Sequence, residues 1–308
     1  MLAMQGIINL VKPLNLTSFQ AVQRVRRILQ IRKVGHTGTL DPLATGVLPI
    51  CVGRATKVSR FLVDTSKEYL AELRLGIKTD TLDAAGEIVA QEEVPELTME
   101  LIKEVCAEFV GEIEQVPPMY SAVKQEGKRL YKLAQQGKTV KREPRQIKIY
   151  KLEVLAVDLP VIRFAVECSK GTYIRVLAAD IAKKLGSCGH LSFLIRDRVG
   201  PFKINEGIVL AELEEAASSD SLAATLLPID AAVVHYPQIK IKSEPQLYKL
   251  VSNGASFDFK GVASQENDLD LGQRVRVYSA EDEFLGIYKF VLEQEGKEEV
   301  FKPVRLFC

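Results

Sequence analysis

Gly35-His36-Thr37-Gly38-Thr39-Leu40-Asp41-Pro42-Leu43-Ala44-Thr45-Gly46 is the stretch on which the reading of this 308-residue chain turns. Three glycines, three threonines and a proline in twelve residues predict a loop with unusual backbone demands rather than a strand or a helix. Asp41 is the lone acid among the first sixty residues, which hold nine lysines and arginines. The proline that follows biases its backbone towards an extended conformation. A carboxylate fixed in basic surroundings is expected to stay ionised at neutral pH and can serve as nucleophile or general base. An Asp-Pro pair also makes an ordinary turn, so the residues alone leave both readings open.

Upstream, Gly6 to Val11 reads as a strand, Lys12 to Asn15 as a turn, and a helix begins at Thr17 or Ser18, either of which can cap it. Downstream, Glu68 to Leu75 alternates, placing Tyr69, Ala71, Leu73 and Leu75 on one face of a half-buried strand. Tyrosine in that setting is usually core. Thr98 to Val110 has helical spacing through Leu101, Ile102, Val105 and Phe109. Val161 to Cys168 alternates again, and Ser169-Lys170-Gly171-Thr172 turns into a helix with the stripe Ile174, Leu177, Ala178, Ile181 and Leu185. Arg175 falls in the first turn of that helix, where a cation opposes the helix dipole and calls for an anionic partner. Beyond residue 237 the texture changes to short strand candidates, Arg274–Tyr278, Phe284–Phe290 and Val300–Phe307, which read as a small β-barrel or sandwich.

The composition is that of a soluble globular protein, 47% hydrophobic and 26% charged, with no apolar run near the ~20 residues of a membrane span. Met1 to Leu10 has no basic residue before its apolar run, so no signal peptide is expected. Five cysteines without a C-x-x-C pair and three scattered histidines argue against a disulfide framework or a metal site, and for a reducing cytoplasm. P-loop, G-x-G-x-x-G and G-x-S-x-G motifs are missing from the sequence. The net charge of +1 conceals a segregation: residues 1–60 carry +8, residues 124–151 carry +8 and residues 163–203 carry +5, against −20 on the remaining 179. Basic surfaces on an acidic body are the footprint of a polyanion site.

Taken together, these segments resemble the bacterial tRNA pseudouridine-55 synthases. The similarity is carried by Lys12-Pro13-x-x-x-x-Thr17-Ser18, by Gly35 through Pro49, by Lys67-x-Tyr69, by Pro118-x-Tyr120-Ser121-Ala122-x-Lys124 and by Cys168 through Arg175. It runs in order from residue 4 to about 236. The tail resembles a PUA-type RNA-binding module, although its ten bases and twelve acids depart from the basic character of such modules.

The resemblance implies an α+β fold: a mixed, largely antiparallel sheet with flanking helices over residues 1–237, and a β-rich PUA-like domain over 238–308. It also implies an isomerase that cleaves the glycosidic bond of one uridine in the T-loop of tRNA, rotates the uracil and rejoins it through carbon, with no cofactor and no metal. By the same resemblance Asp41 is the catalytic aspartate, Tyr69 stacks on the target base, and Arg175 pairs with Asp41. His36 fills the space left by the flipped base, Leu194 walls the uracil pocket, and Lys12 and Lys170 contact the substrate. A tRNA-folding factor with secondary catalysis and a guide-RNA-dependent relative are the competing readings. The compact N-terminus and the basic stretch 124–151 favour a stand-alone monomer acting on the T-arm of tRNA, without a protein partner, guide RNA or membrane. Because the basic segments all lie within the first 203 residues, that region is expected to supply most of the binding.

Overall fold

The computed structural model describes residues 4–121, 123–125, 127–134, 136–138, 140–219, 221–266, 268–293 and 298–308; Ala122 of the fourth motif and the side chain of Lys124 lie outside the description. The larger sheet has nine strands. They are β1 (Gly6–Lys12), β2 (Val34–His36), β3 (Ala44–Val52), β4 (Lys67–Leu75), β5 (Gly111–Gln115), β6 (Arg145–Asp158), β7 (Val161–Cys168), β8 (Gly189–Val199) and β9 (Phe202–Lys203). The strand order is β1-β3-β8-β4-β7-β6-β5, with β2 paired to β3 and β9 to β8. Every pairing is antiparallel except β3 with β8, which run parallel with Leu194 opposite Ala44 and Arg196 opposite Gly46. The sheet is therefore mixed and largely antiparallel, as the resemblance implied.

Helices cover one face. α1 (Ser18–Leu29) starts from a capping box, Thr17 accepting from the Gln20 amide while the Gln20 side chain accepts from the Thr17 amide. Its buried stripe of Ala21, Val22, Val25 and Leu29 packs into one core with Ile8, Leu10, Leu48 and Ile50 of the sheet. α2 (Met99–Ala107) and α3 (Ile174–Lys184) join the same core through Ile102, Val105, Leu177 and Ile181. Leu101, placed on the apolar stripe by its spacing, is 42% exposed instead, one position off the buried face.

The twelve-residue loop expected at 35–46 is shorter than its composition suggests. Its ends are strand, with His36 opposite Ile50 and β3 beginning at Ala44, so that only residues 37–43 are irregular. Gly46 is a strand glycine at φ +105, where a Cβ would stand 2.2 Å from the Arg196 carbonyl oxygen. It permits the close approach of β8 to β3 rather than a turn.

The tail folds as a six-stranded sheet in the order Phe257–Asp258, Glu299–Leu306, Phe284–Leu292, Arg274–Tyr278, Gln238–Ile241, Val262–Gln265, with its own core around Tyr288 and Phe301. A further apolar cluster joins the two sheets. Ile7, Val47 and Cys51 on the reverse face of β1 and β3 pack with Phe61, Leu62 and Val233 and, from the tail, with Ile287 and Phe307. Arg54, Lys57 and Arg60 donate to the carbonyls of Phe307, Leu306 and Val304, so three cations of the first basic segment are engaged by the tail. The tail is thus part of the structural frame of the larger sheet. Ile287 is fully buried, and Ile287→Ala should destabilise the chain by about 3 kcal/mol. Urea unfolding monitored at equilibrium would measure it; a loss near zero would mean that the junction is not packed as described.

Candidate active site

Asp41 sits in a loop whose backbone is bonded at every carbonyl from Gly38 to Pro42. Arg196 donates to the carbonyls of Gly38 and Thr39, and Ser18 donates to that of Leu40 and accepts from its amide. The Asp41 carbonyl accepts from the Ala44 amide, and that of Pro42 from Asn15. A loop with its polar backbone groups so fully paired has few alternative conformations. Three elements thereby fix one carboxylate: the start of α1, the turn after β1, and β8 from beneath.

The carboxylate faces a cleft of about 400 Å³ whose walls include Thr39, Tyr69, Lys170, Arg175, Leu194 and Arg196. Asp41 Oδ2 is 3.2 Å from Nη2 of Arg175, whose side chain is only 6% exposed. The same guanidinium reaches Asp83 Oδ2 at 3.3 Å and donates to the Tyr120 carbonyl at 2.6 Å. Gln115 sets the start of α3 by exchanging two hydrogen bonds with the backbone of Tyr173, which aims Arg175 into the cleft. The cation at the helix start therefore has two anionic partners, where the sequence suggested one.

Burial raises the Asp41 carboxyl above its ordinary value, and Arg175 is the leading influence in the other direction. Desolvation in the cleft thus outweighs the neighbouring cations. Burial also raises the Tyr69 hydroxyl, with Arg196 opposing, so the side chain is a neutral phenol at neutral pH. Tyr69 is partly buried and lines the cleft as well as packing against the core, which joins the two readings of its strand position. Leu194 is 9% exposed and stands on the cleft wall opposite Ala71 and Ala44.

His36 lies at the end of β2, its Nδ1 accepting from the Gly38 amide, and the cleft wall begins at the next residue, Thr37. Burial, followed by Arg196, lowers its pKa, so the imidazole is neutral at physiological pH. Lys170 is at the cleft rim with its ammonium 2.6 Å from Asp64. Lys12 departs from the substrate-contacting role expected of it. It is fully buried and donates to the carbonyls of Pro13, Leu16 and Pro42, holding the turn behind Asp41. Burial and then Arg196 bring its pKa down to about 8, against the pull of Asp41.

Two residues of the site escaped the sequence reading. Asp83 falls in a turn, where its Oδ1 accepts from Thr81 and from the Ala85 amide, a pattern shared by many surface turns. Arg196 is 2% exposed but stands between Phe193-Leu194-Ile195 and the charged pair Asp197-Arg198, so the only signal was a charge at the end of a short apolar run.

The model of the TruB family pseudouridylate synthase N-terminal domain matches residues 26–174, and that of the tRNA pseudouridylate synthase B C-terminal domain matches residues 175–234. The chain is 43% identical over 304 residues to tRNA pseudouridine synthase B of Dehalococcoides mccartyi, covering 99% of this chain and 97% of that relative. It is likewise 43% identical to the protein of that name from Clostridium tetani, over 98% of this chain and 99% of the other. Among solved structures, a Cbf5-Nop10-Gar1 complex matches with a TM-score of 0.78 at 30% identity, over 98% of this chain and 85% of that one. An H/ACA RNP bound to a substrate RNA containing 2′-deoxyuridine matches with 0.77 at 28%, over 98% and 85%.

The position of Lys12 yields a test that needs no substrate. Lys12→Met keeps the aliphatic stem but leaves buried carbonyls without their donor, which should cost about 2 kcal/mol. Equilibrium denaturation at neutral pH measures the loss, and an unchanged midpoint would remove Lys12 from the support of the loop.

Proposed function

Because the chain belongs to the TruB family of pseudouridylate synthases, we propose that it converts uridine 55 in the T-loop of tRNA to pseudouridine. The observation that carries the proposal is the Asp41 carboxylate held 3.2 Å from a buried arginine in a cleft also walled by Tyr69 and Leu194. The reaction is an isomerisation: the bond from N1 of uracil to the sugar breaks, the base turns, and C5 bonds to the sugar while its proton is released and N1 gains one. No electrons are exchanged with a partner.

Asp41 is the group able to act as nucleophile or base on the nucleoside. Arg175 positions it and offsets its charge. Tyr69, neutral and facing the cleft, offers a ring for stacking on uracil and a hydroxyl for proton transfer. Leu194 closes the apolar side of the pocket. A uridine stacked in a folded RNA must be flipped out to reach this cleft, at a cost of a few kcal/mol. His36, neutral and beside the loop, suits the space the base leaves. Lys170 at the rim can exchange Asp64 for a phosphate.

The enzyme acts in this proposal as a monomer, without guide RNA or an obligatory protein partner. The support is its correspondence along nearly its full length with relatives named as tRNA pseudouridine synthase B. All five cysteines are free thiols, in keeping with a cytoplasmic setting. Among the described residues no helix is long and apolar enough to cross a membrane.

Asp41→Asn retains shape and hydrogen bonding but removes the charge. Pseudouridine formation on an unmodified tRNA transcript should fall to background while the tRNA still binds; turnover by the variant, with deamidation excluded by mass spectrometry, would overturn the assignment. The pH dependence follows from the raised carboxyl. The reaction needs the ionised form, so kcat/KM should decline as pH falls through the Asp41 pKa. That acidic limb should lie above the value of an ordinary aspartate. A profile flat down to the ordinary carboxylate range would contradict the raised carboxyl of Asp41.

A further inference from the structure

A second concave site lies at the junction of the two sheets, about 540 Å³ in volume, lined by His235, Tyr236, Gln273, Arg274, Lys289 and Val304 among others. Nothing in the family resemblance assigned a role to these residues, and the tail's net charge of −2 gave no hint of a cationic pocket. Arg274 and Lys289 face each other across neighbouring strands in direct register. Like charges placed opposite in a sheet are unfavourable unless an anion lies between them.

The nearby acids do not supply that anion. Glu266 stands 3.5 Å from Arg276, and Asp230 accepts from the Tyr278 hydroxyl. Among the described residues neither Arg274 nor Lys289 has a carboxylate at ion-pair distance. Arg274 is instead held in place by the Tyr236 hydroxyl at 3.1 Å and by the face of Phe61, 5.4 Å from the ring centroid. Its guanidinium is thus positioned by uncharged groups, with its charge available. Beside it the pocket is lined by the ring pair His235 and Tyr236, whose centroids are 4.2 Å apart. Burial followed by Arg276 and Arg274 lowers the His235 pKa, so this wall is a neutral aromatic surface.

A short helix links the pocket to the catalytic cleft. In the short helix Ser59–Val63, Val63 lines the cleft, while Arg60 donates to the carbonyl of Val304 in the junction pocket. They are three positions apart, roughly 5 Å along a helix. From this arrangement we infer that the junction pocket binds a nucleotide of the same substrate RNA, its phosphate between Arg274 and Lys289 and its sugar or base against His235 and Tyr236. The inference rests on the reading of the chain as a tRNA-modifying enzyme and adds a second RNA contact beyond the target uridine.

The test uses the full-length chain and an unmodified tRNA transcript, with Lys289→Gln and the double variant Arg274→Gln/Lys289→Gln. Lys289 is exposed, so its replacement preserves the Arg274–Tyr236 contact and keeps the test alive if the double variant folds poorly. Lys242→Gln, an exposed lysine outside the pocket, makes the same change in net charge. Lys289→Gln should weaken binding by roughly three- to tenfold and reduce the slope of log K against log salt by about one, with kcat at saturating RNA unchanged. The double variant should enlarge both binding effects. Unchanged affinity and salt slope in folded Lys289→Gln would overturn the inference. So would an equal loss in Lys242→Gln, which would reduce the effect to overall charge. Wild-type turnover on the same transcript tests the catalytic reading separately, since failure there would leave the binding comparison readable.

Discussion

The site depends on one buried guanidinium. Taking Arg175 out of water is expensive, and the cost is met only if its donors find charged or strongly polar partners. Asp41, Asp83 and the Tyr120 carbonyl provide them from three separate segments of chain. Helix α3, the turn after β4 and the segment after β5 must all be in place before both Nη atoms are paired, and the buried Nε is left without a partner among the described residues. The ion pair therefore couples correct assembly of the sheet to the placement of the Asp41 carboxylate. Two influences then oppose each other at that carboxylate: partial desolvation in the cleft raises its pKa and the arginine lowers it, with the net direction upward.

A second use of buried cations lies behind the loop. Among the described residues Lys12 and Arg196 meet no carboxylate at ion-pair distance; Lys12 donates to backbone carbonyls, and Arg196 to backbone carbonyls and the Tyr69 hydroxyl. A backbone carbonyl pointing into an apolar interior needs a donor, and a long cationic side chain can serve several at once. Lys12 takes three carbonyls and Arg196 another three, which binds the loop, the turn before α1 and β3 into one unit. The positive charges then add to the field at Asp41 without standing in the way of a ligand. Charge in this cleft serves geometry first, and the electrostatic effect follows from where geometry put it.

What could be read in advance follows the same division. Periodic elements were legible: the stripes of α1 and α3 and the alternation of β4 and β7 are each set by residues that face one continuous core. Asp41 and Arg175 stood out locally as a lone acid and a helix-start cation, the roles of these two and of Tyr69 and Leu194 came from resemblance, and the structure brings all four to one cleft although they are scattered over more than 150 residues of chain. The parallel pairing of β3 with β8 was not legible, because it joins segments far apart and its one local mark, Gly46, looks like a loop glycine. Lys12 was misread for a related reason. The resemblance alone gave it a substrate contact, and nothing local reveals that its ammonium is enclosed by a turn. Asp83 has the side-chain bonds of any Asx turn, and only the tertiary approach of Arg175 gives it a further role.

Net charge misleads at every scale on which it is averaged. The whole chain is nearly neutral, yet its first sixty residues carry +8. Within those sixty, Arg54, Lys57 and Arg60 bond to the tail, Lys12 is enclosed, and Arg26 donates to the Val34 carbonyl, so much of the apparent polyanion surface is internal structure. The tail shows the reverse, being slightly acidic in sum while holding two facing cations in a pocket. A phosphate responds to charge within about a Debye length, roughly 8 Å at physiological ionic strength. The quantity that matters for RNA is therefore the number of cations that reach solvent without a carboxylate beside them, and only the folded arrangement supplies that number.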